Sequence, residues 1–412
     1  MTRLLPFLLA ALLICSLPAI AVPGSVGPQA GIDGAGGEYA AVDAGSIDWL
    51  ALSEEPAVSG DDHVTVDVGA TLEGDSDRLE ARYDDHHVDV RIENADSEAE
   101  QRAIVREEEG RIAAEISQLR EHERAAYVGY YGGDIDEHEL LVELAVVHTN
   151  AAMLEESVSR LEESADEVPE VSLGSEIGEL EVETLTMQGP VRERVAEMLR
   201  GETDPERVHV ESDGNGVVLA LVDGDQFHRE AYRDDNREPD AEAQYASLGQ
   251  SEDRIAELYP SIFPEARWSY SEVGENTHRG IGNHAQGSLT TYLDTGTGEV
   301  YRESQTLRLG GIDATTVGSD TDEGVELTVS GTLPGGPAQA TLTDAETGDP
   351  LSGEIELDDR AVGETDDGTL WFVAPRSSVT VTATVGEAEV TVEITEGVVS
   401  QSDISVSGDE RS

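Results

Sequence analysis

The chain has 412 residues, with 88 Asp or Glu against 25 basic residues and a formal net charge of −63. Every basic residue is Arg, and the single Cys, Cys15, lies in an apolar N-terminal run. A disulfide scaffold, a Cys-ligated metal and a thiol enzyme are therefore excluded once that run is removed. A field of this sign argues against nucleic acid or anionic lipid as a partner, while 38% hydrophobic residues leave enough apolar surface for two or three domains.

Arg3 precedes an apolar core from Leu4 to Ile14, and Ala19-Ile20-Ala21 offers small residues before a cleavage point. This pattern predicts a signal peptide over residues 1–21, cleaved after Ala21. Retained, residues 4–22 would be nearly long enough to anchor the chain in a bilayer. Otherwise no membrane span is expected, and the location expected is extracellular or cell-surface. Residues 22–75 read as a flexible or irregular segment, with Pro23, Pro28 and seven Gly between 23 and 45.

A helical, coiled-coil-like domain is expected over 76–168. Leu79, Tyr83, His86 and Val90 step by 4, 3 and 4, which favours helix although Val88, Val90 and Ile92 also alternate. Ile112, Ile116, Leu119, Ala126 and Tyr130 mark one face of a long helix, which Gly132-Gly133 should stop and Asp134 or Asp136 should follow as a cap. Leu140, Leu144, Val147, Ala151, Leu154, Val158 and Leu161 then repeat with 4-3 spacing, the seam of a partner helix. So short a connection makes the two helices an antiparallel hairpin, packed on itself or offering a surface for a partner or for self-association.

Residues 170–310 read as an α+β domain with an internal repeat. Arg192–Leu199 aligns with Glu252–Tyr259 at an offset of 60, and Arg207–Val210 with Arg267–Tyr270 at the same offset. Phe227-His228-Arg229-Glu230 matches Val300-Tyr301-Arg302-Glu303 at 73, so the second unit carries about 13 more residues, assigned to a loop over Gly274–Gly287. Each unit is expected as helix, strand, strand. The last hairpin contains Asp294-Thr295-Gly296 before a returning strand, and resembles the hairpin of the PepSY module. That resemblance implies a binding module outside the cytoplasm, of the kind found in peptidase propeptides and exported peptidase-restraining proteins, without catalytic residues.

Residues 323–407 alternate as short strands, with Val325, Leu327 and Val329, then Ile355 and Leu357, Val379, Val381 and Ala383, and Val390, Val392 and Ile394 facing inward. Turns at Pro334-Gly335-Gly336, Gly348-Asp349-Pro350, Asp367-Gly368 and Gly386 separate them into a β-sandwich of about seven strands. Ala345–Gly353 with Asp367–Pro375 resembles the transthyretin-like sandwich of carboxypeptidase regulatory domains, and Trp371 is expected in its core. The fold class expected is thus multidomain α+β: helical hairpin, central α+β repeat, terminal sandwich.

Candidate chemistry is sparse. His86-His87 stands beside Asp84, Asp85 and Asp89, but adjacent residues on a helix point about 100° apart and would not converge on one ion. His278 and His284 accompany Asn276 and Asn283 without the carboxylates of a zinc enzyme. Asp213-Gly214-Asn215-Gly216 reads as a hairpin turn. No catalytic, cofactor-binding or metal-ligating residues are expected, and an enzyme is not. A Lys-free acidic chain is suited to molar salt, where the Debye length falls to roughly 3 Å and neighbouring carboxylates barely interact. Arg also gives up less hydration than Lys on pairing. In this the chain resembles exported proteins of halophilic archaea. The expected role is a scaffold, adhesion or partner-binding protein whose partner is an envelope protein, or alternatively a regulator of an exported peptidase.

Overall fold

The computed structural model describes residues 37–38, 49–52, 57–67, 69, 87–312, 314–332, 334–365 and 367–395. The signal-peptide and cleavage readings, Cys15, most of the Gly- and Pro-rich stretch, residues 77–86 and the C-terminal tail lie outside them. Residues 87–93 are helical, so the helical periodicity outweighs the strand-like one over the described part.

Two short strands come first, β1 (Gly37–Glu38) and β2 (Val58–His63). The stretch read as irregular thus supplies strands, and residues 49–52 within it are buried. The helical hairpin follows as α1 (Glu98–Gly132) and α2 (Glu137–Glu167). Ser97 caps α1 by accepting from the Glu100 N–H, and Gly133 closes it in the left-handed conformation at φ 75°. Asp136 and Glu139 form a reciprocal capping box on α2. The expected seam is buried along α2, except that Leu154 is only partly buried.

A third helix, α3 (Gly174–Met187), joins this pair. Ile177, Leu180 and Met187 pack with Ile112, Ile116, Val147, Val158 and Leu161, so the hairpin's distal half belongs to a three-helix core. Its root, from Ala126 to Leu144, and the short α4 (Pro190–Leu199) press onto a sheet.

That sheet is built from β3 (Arg207–Ser212), β4 (Gly216–Asp223), β5 (Gln226–Arg233), and, after α5 (Leu248–Leu258), β6 (Arg267–Glu272), β7 (Thr277–His284), β8 (Gly287–Asp294) and β9 (Val300–Arg308). With β2 it forms eight antiparallel strands in the order β2-β3-β4-β5-β9-β8-β7-β6. Both faces are covered, which is why β4 reads as a continuous apolar run, Val217 to Val222, rather than an alternation. Val208, Val210, Val217, Leu219 and Tyr232 face the helices. Val218, Ala231, Leu289, Leu293 and Val300 face α5 and the buried Leu50 and Leu52.

The two helix-led units join at the sheet's centre, where β5 pairs with β9. Val195 of α4 and Ile255 of α5 are both fully buried, but α4 lies on one face and α5 on the other. The first unit contributes three strands and the second four, instead of two each. The Gly274–Gly287 segment is not a loop. It contains β7, hydrogen-bonded along its length to β6 and β8.

The C-terminal sandwich comprises β10 (Thr315–Asp322), β11 (Val325–Gly331), β12 (Pro337–Asp344), β13 (Glu354–Leu357), β14 (Arg360–Glu364), β15 (Thr369–Val373), β16 (Val379–Val385) and β17 (Ala388–Thr395). One sheet has the order β10-β11-β12-β15 and the other β1-β17-β16-β13-β14. The expected inward residues line the core between them. Trp371 does not. On β15 the core is filled by Phe372, while Trp371 and Val373 point to the outer face and pack near Ala220, Phe227 and Leu309 of the central sheet. The multidomain α+β architecture is as expected.

Candidate functional site

The centre of the molecule is held by buried ion pairs that follow from the sheet's two covered faces. Toward the helices, fully buried Arg192 of α4 bonds Glu123 of α1 at 2.5 Å and Glu230 of β5 at 2.8 Å. Arg302 of β9 approaches Glu230 at 3.4 Å, and Arg120 ties Glu123 to Glu183 of α3. On the opposite face Arg229 pairs with Glu303 at 2.9 Å. The Arg-Glu dipeptides 229–230 and 302–303, matched in sequence, therefore pair crosswise between neighbouring strands. Arg229 also donates to the Leu50 carbonyl at 2.6 Å, and Glu303 accepts from the Leu50 N–H at 2.5 Å, which fixes the buried 49–52 segment by its main chain. Breaking such a pair on one side leaves an uncompensated buried charge, so these groups are structural.

A second network lies where β2 and β3 meet the sandwich. His209, 1% exposed, has Asp61 on Nδ1 and Glu211 on Nε2, each at 3.1 Å. Burial alone would lower the His209 pKa, but bonds to the two carboxylates raise it to about 9. Burial likewise works against ionised Asp61, and His209 and Arg207 overcome it, holding Asp61 at about 2. Arg376 of the sandwich reaches Glu211 at 3.7 Å, and Arg207 donates to the Ala361 carbonyl at 2.9 Å, so the same cluster clamps sandwich to sheet.

Above this clamp a cleft of about 350 Å³ opens between the two domains. Asp61, His63, Glu206 and Arg207 form one wall, and Val362, Glu364, Leu370 and Trp371 the other. Clefts of this size at domain junctions, apolar with a few polar groups, are the usual setting for small-ligand sites.

The residues singled out in the sequence fall elsewhere. His87 is exposed on the helical segment at 87–93, while Asp84, Asp85 and His86 lie outside the described residues. His278 is buried and bonds the Ser251 hydroxyl at 2.7 Å; His284 is six residues further along the same strand, about 20 Å away in an extended chain. Asp213–Gly216 is a hairpin turn, with Asp213 accepting from the Asn215 N–H and Gly214 at φ 82°. Asp294, which carries the PepSY-like motif, is 1% exposed and accepts from Gly296, Thr297 and Glu238 N–H groups. That motif is an internal fastening between β8 and the connection leading to α5. Among the described residues no group of three or more His, Cys, Asp or Glu is placed to hold a metal ion. None of their helices is long and apolar enough to cross a membrane.

Asp61, Glu206, His209 and Glu211 were not signalled by any sequence pattern. Arg207-Val208-His209-Val210 reads as a strand with one wet face, and only the sandwich lying over that face makes His209 a buried group.

Comparison with known families divides the chain in three. Residues 1–204 match a domain of unknown function (DUF7096), 208–313 a family of unknown function (DUF7094), and 316–392 an archaeal fibronectin-III type-like domain. The last of these replaces the transthyretin-like likeness while keeping the sandwich. No curated protein and no solved structure matches the chain. The first two matched regions share one sheet and one core: Val64, Tyr127 and Leu140 pack with Val208, Val210 and Tyr301.

Proposed function

We propose that this chain is a non-enzymatic secreted or cell-surface protein of a halophile, acting as a scaffold or partner-binding element. One observation carries the reading: an archaeal fibronectin-III type-like sandwich is clamped to the central sheet by Arg376–Glu211 and by Trp371 and Val373 against that sheet. Such sandwiches are suited to spacing and contact, and a clamped junction passes orientation from one domain to the next. The Lys-free acidic composition supports a high-salt setting outside the cell. The alternative, a regulator of an exported peptidase, draws on the PepSY-like hairpin alone.

The test is recovery of partners at molar salt with a tagged chain beginning at Val22. Envelope proteins or glycoproteins on the tag favour the scaffold. A captured peptidase whose activity falls on binding favours the regulator. Turnover by the purified chain of any substrate in a broad hydrolase panel would sink both.

A further inference from the structure

The interdomain cleft has a chemistry that a scaffold does not need. Its apolar lining comes from Val222 of β4 and from Val362, Leu370 and Trp371 of the sandwich. Its charges fall into two sets. Arg207 is committed to Asp61 at 3.1 Å and to the Ala361 carbonyl, and Asp61 is further held by His209. The carboxylates of Glu206 and Glu364, by contrast, line the cleft without a hydrogen bond or ion pair to another described residue. Glu206 is partly buried; burial, with Asp223 nearby, disfavours its ionised form, while Arg194 and His63 favour it without bonding to it.

We propose that this cleft binds a small organic ammonium cation, with its head on Glu206 and its carbon body on Leu370 and Trp371. An anion would meet the carboxylates of Glu206 and Glu364, with Arg207 already engaged by Asp61 and His63 the one other basic group of the lining. A neutral ligand would leave both cleft carboxylates without a hydrogen-bonded cation. A hard metal ion wants six or more oxygen ligands, whereas here three acidic or histidine groups do not converge among the described residues. An alkylammonium ion uses both halves of the site, because its methylenes gain by burial and its charge is attracted to carboxylate and indole alike. Contact at hydrogen-bond distance also survives molar salt, where the Debye length is roughly 3 Å. This inference goes beyond the scaffold reading and stands or falls apart from it.

The experiment is a titration of the full chain with cadaverine at fixed ionic strength, followed by calorimetry and by Trp fluorescence. The comparison ligands are 1,5-pentanediol and a short Lys-containing peptide. Saturable binding of cadaverine is expected, weaker by about tenfold or more in Glu206→Gln, since a hydrogen bond to a charged group is lost. The thermal unfolding of Glu206→Gln should stay close to the parent's, because that carboxylate makes no hydrogen bond or ion pair to another described residue. Equal affinity for pentanediol, no effect of Glu206→Gln, or no saturation would each overturn the proposal. Tighter binding of the Lys peptide than of cadaverine would replace the free cation with a partner's side chain, and so would also overturn it.

Discussion

A neutral imidazole has one N–H, yet both ring nitrogens of His209 face a carboxylate at 3.1 Å. The ring must therefore be protonated to satisfy both, which is the physical content of a pKa raised to about 9. The sign of the linkage follows. With a folded value above the unfolded value of about 6.5, His209 contributes its full stability below about pH 6.5 and loses it as pH rises through about 9. A shift of that size corresponds to about 3 kcal/mol for the His209–Asp61–Glu211 cluster as a whole. Melting followed from pH 6 to 10 should show stability falling between about pH 6.5 and 9 and level above that, and His209→Asn should lack this limb. A parent protein as stable at pH 10 as at pH 7 would remove the imidazolium. The opposite limb belongs to Asp61, whose lowered value gives stability above about pH 4 that disappears as pH falls through about 2.

At the scale of elements, what the sequence revealed depended on how many faces of an element are covered. The α2 seam was legible because a helix packed on one side keeps its 3.6-residue period, and Leu140 to Leu161 are where that period places them. Val147→Glu should cost about 3–5 kcal/mol in denaturant unfolding, since Val147 is fully buried and the new carboxylate has no partner. Leu154→Glu, at a partly buried position of the same seam, should cost clearly less; equal losses would mean that the seam is not graded as described. Strand β7 is not legible in the sequence for the converse reason. Its Gly280 and Gly282 look like loop residues, but they sit opposite Tyr270 and Trp268 on β6. A Cβ at Gly282 would come within 2.9 Å of the Trp268 ring, and one at Gly280 within 3.0 Å of Tyr270. The glycines make room for aromatic rings lying on the sheet, a packing requirement invisible without the register. Gly282→Val should then destabilise by about 1–3 kcal/mol in the same unfolding assay despite its higher strand propensity, whereas a loop residue would tolerate it. The side taken by Trp371 is hidden on similar grounds, because alternation along β15 separates two faces without telling which one meets the sandwich core.

The whole molecule carries −63 charges on 44.0 kDa, and where its basic groups go sets its response to salt. Arg120, Arg192, Arg229 and Arg302 are drawn into the interior, each beside a carboxylate, so they neutralise the core and do little for the surface. The exposed end of α2 is the extreme case. Glu162, Glu163, Asp166 and Glu167 are all exposed there, and the last turn has no basic residue to offset the negative end of the helix dipole. Two carboxylates about 10 Å apart in water repel by about 0.4 kcal/mol when unscreened. Dozens of such pairs exceed the 5–15 kcal/mol of net stability typical of a domain. At roughly 1 M salt the Debye length of about 3 Å removes nearly all of that repulsion, and at 0.1 M, with about 10 Å, much of it returns. Circular dichroism of residues 22–412 through a dilution series should accordingly lose helical signal below roughly 1 M salt, before the strand signal declines. The order follows from construction: the helical core is distal and bordered by unpaired acids, while the eight-stranded sheet is tied on both faces by Arg–Glu pairs. Because screening is the cause, sodium and potassium chloride should act alike at equal ionic strength, and a fully folded chain in dilute buffer free of divalent ions would overturn the halophilic reading.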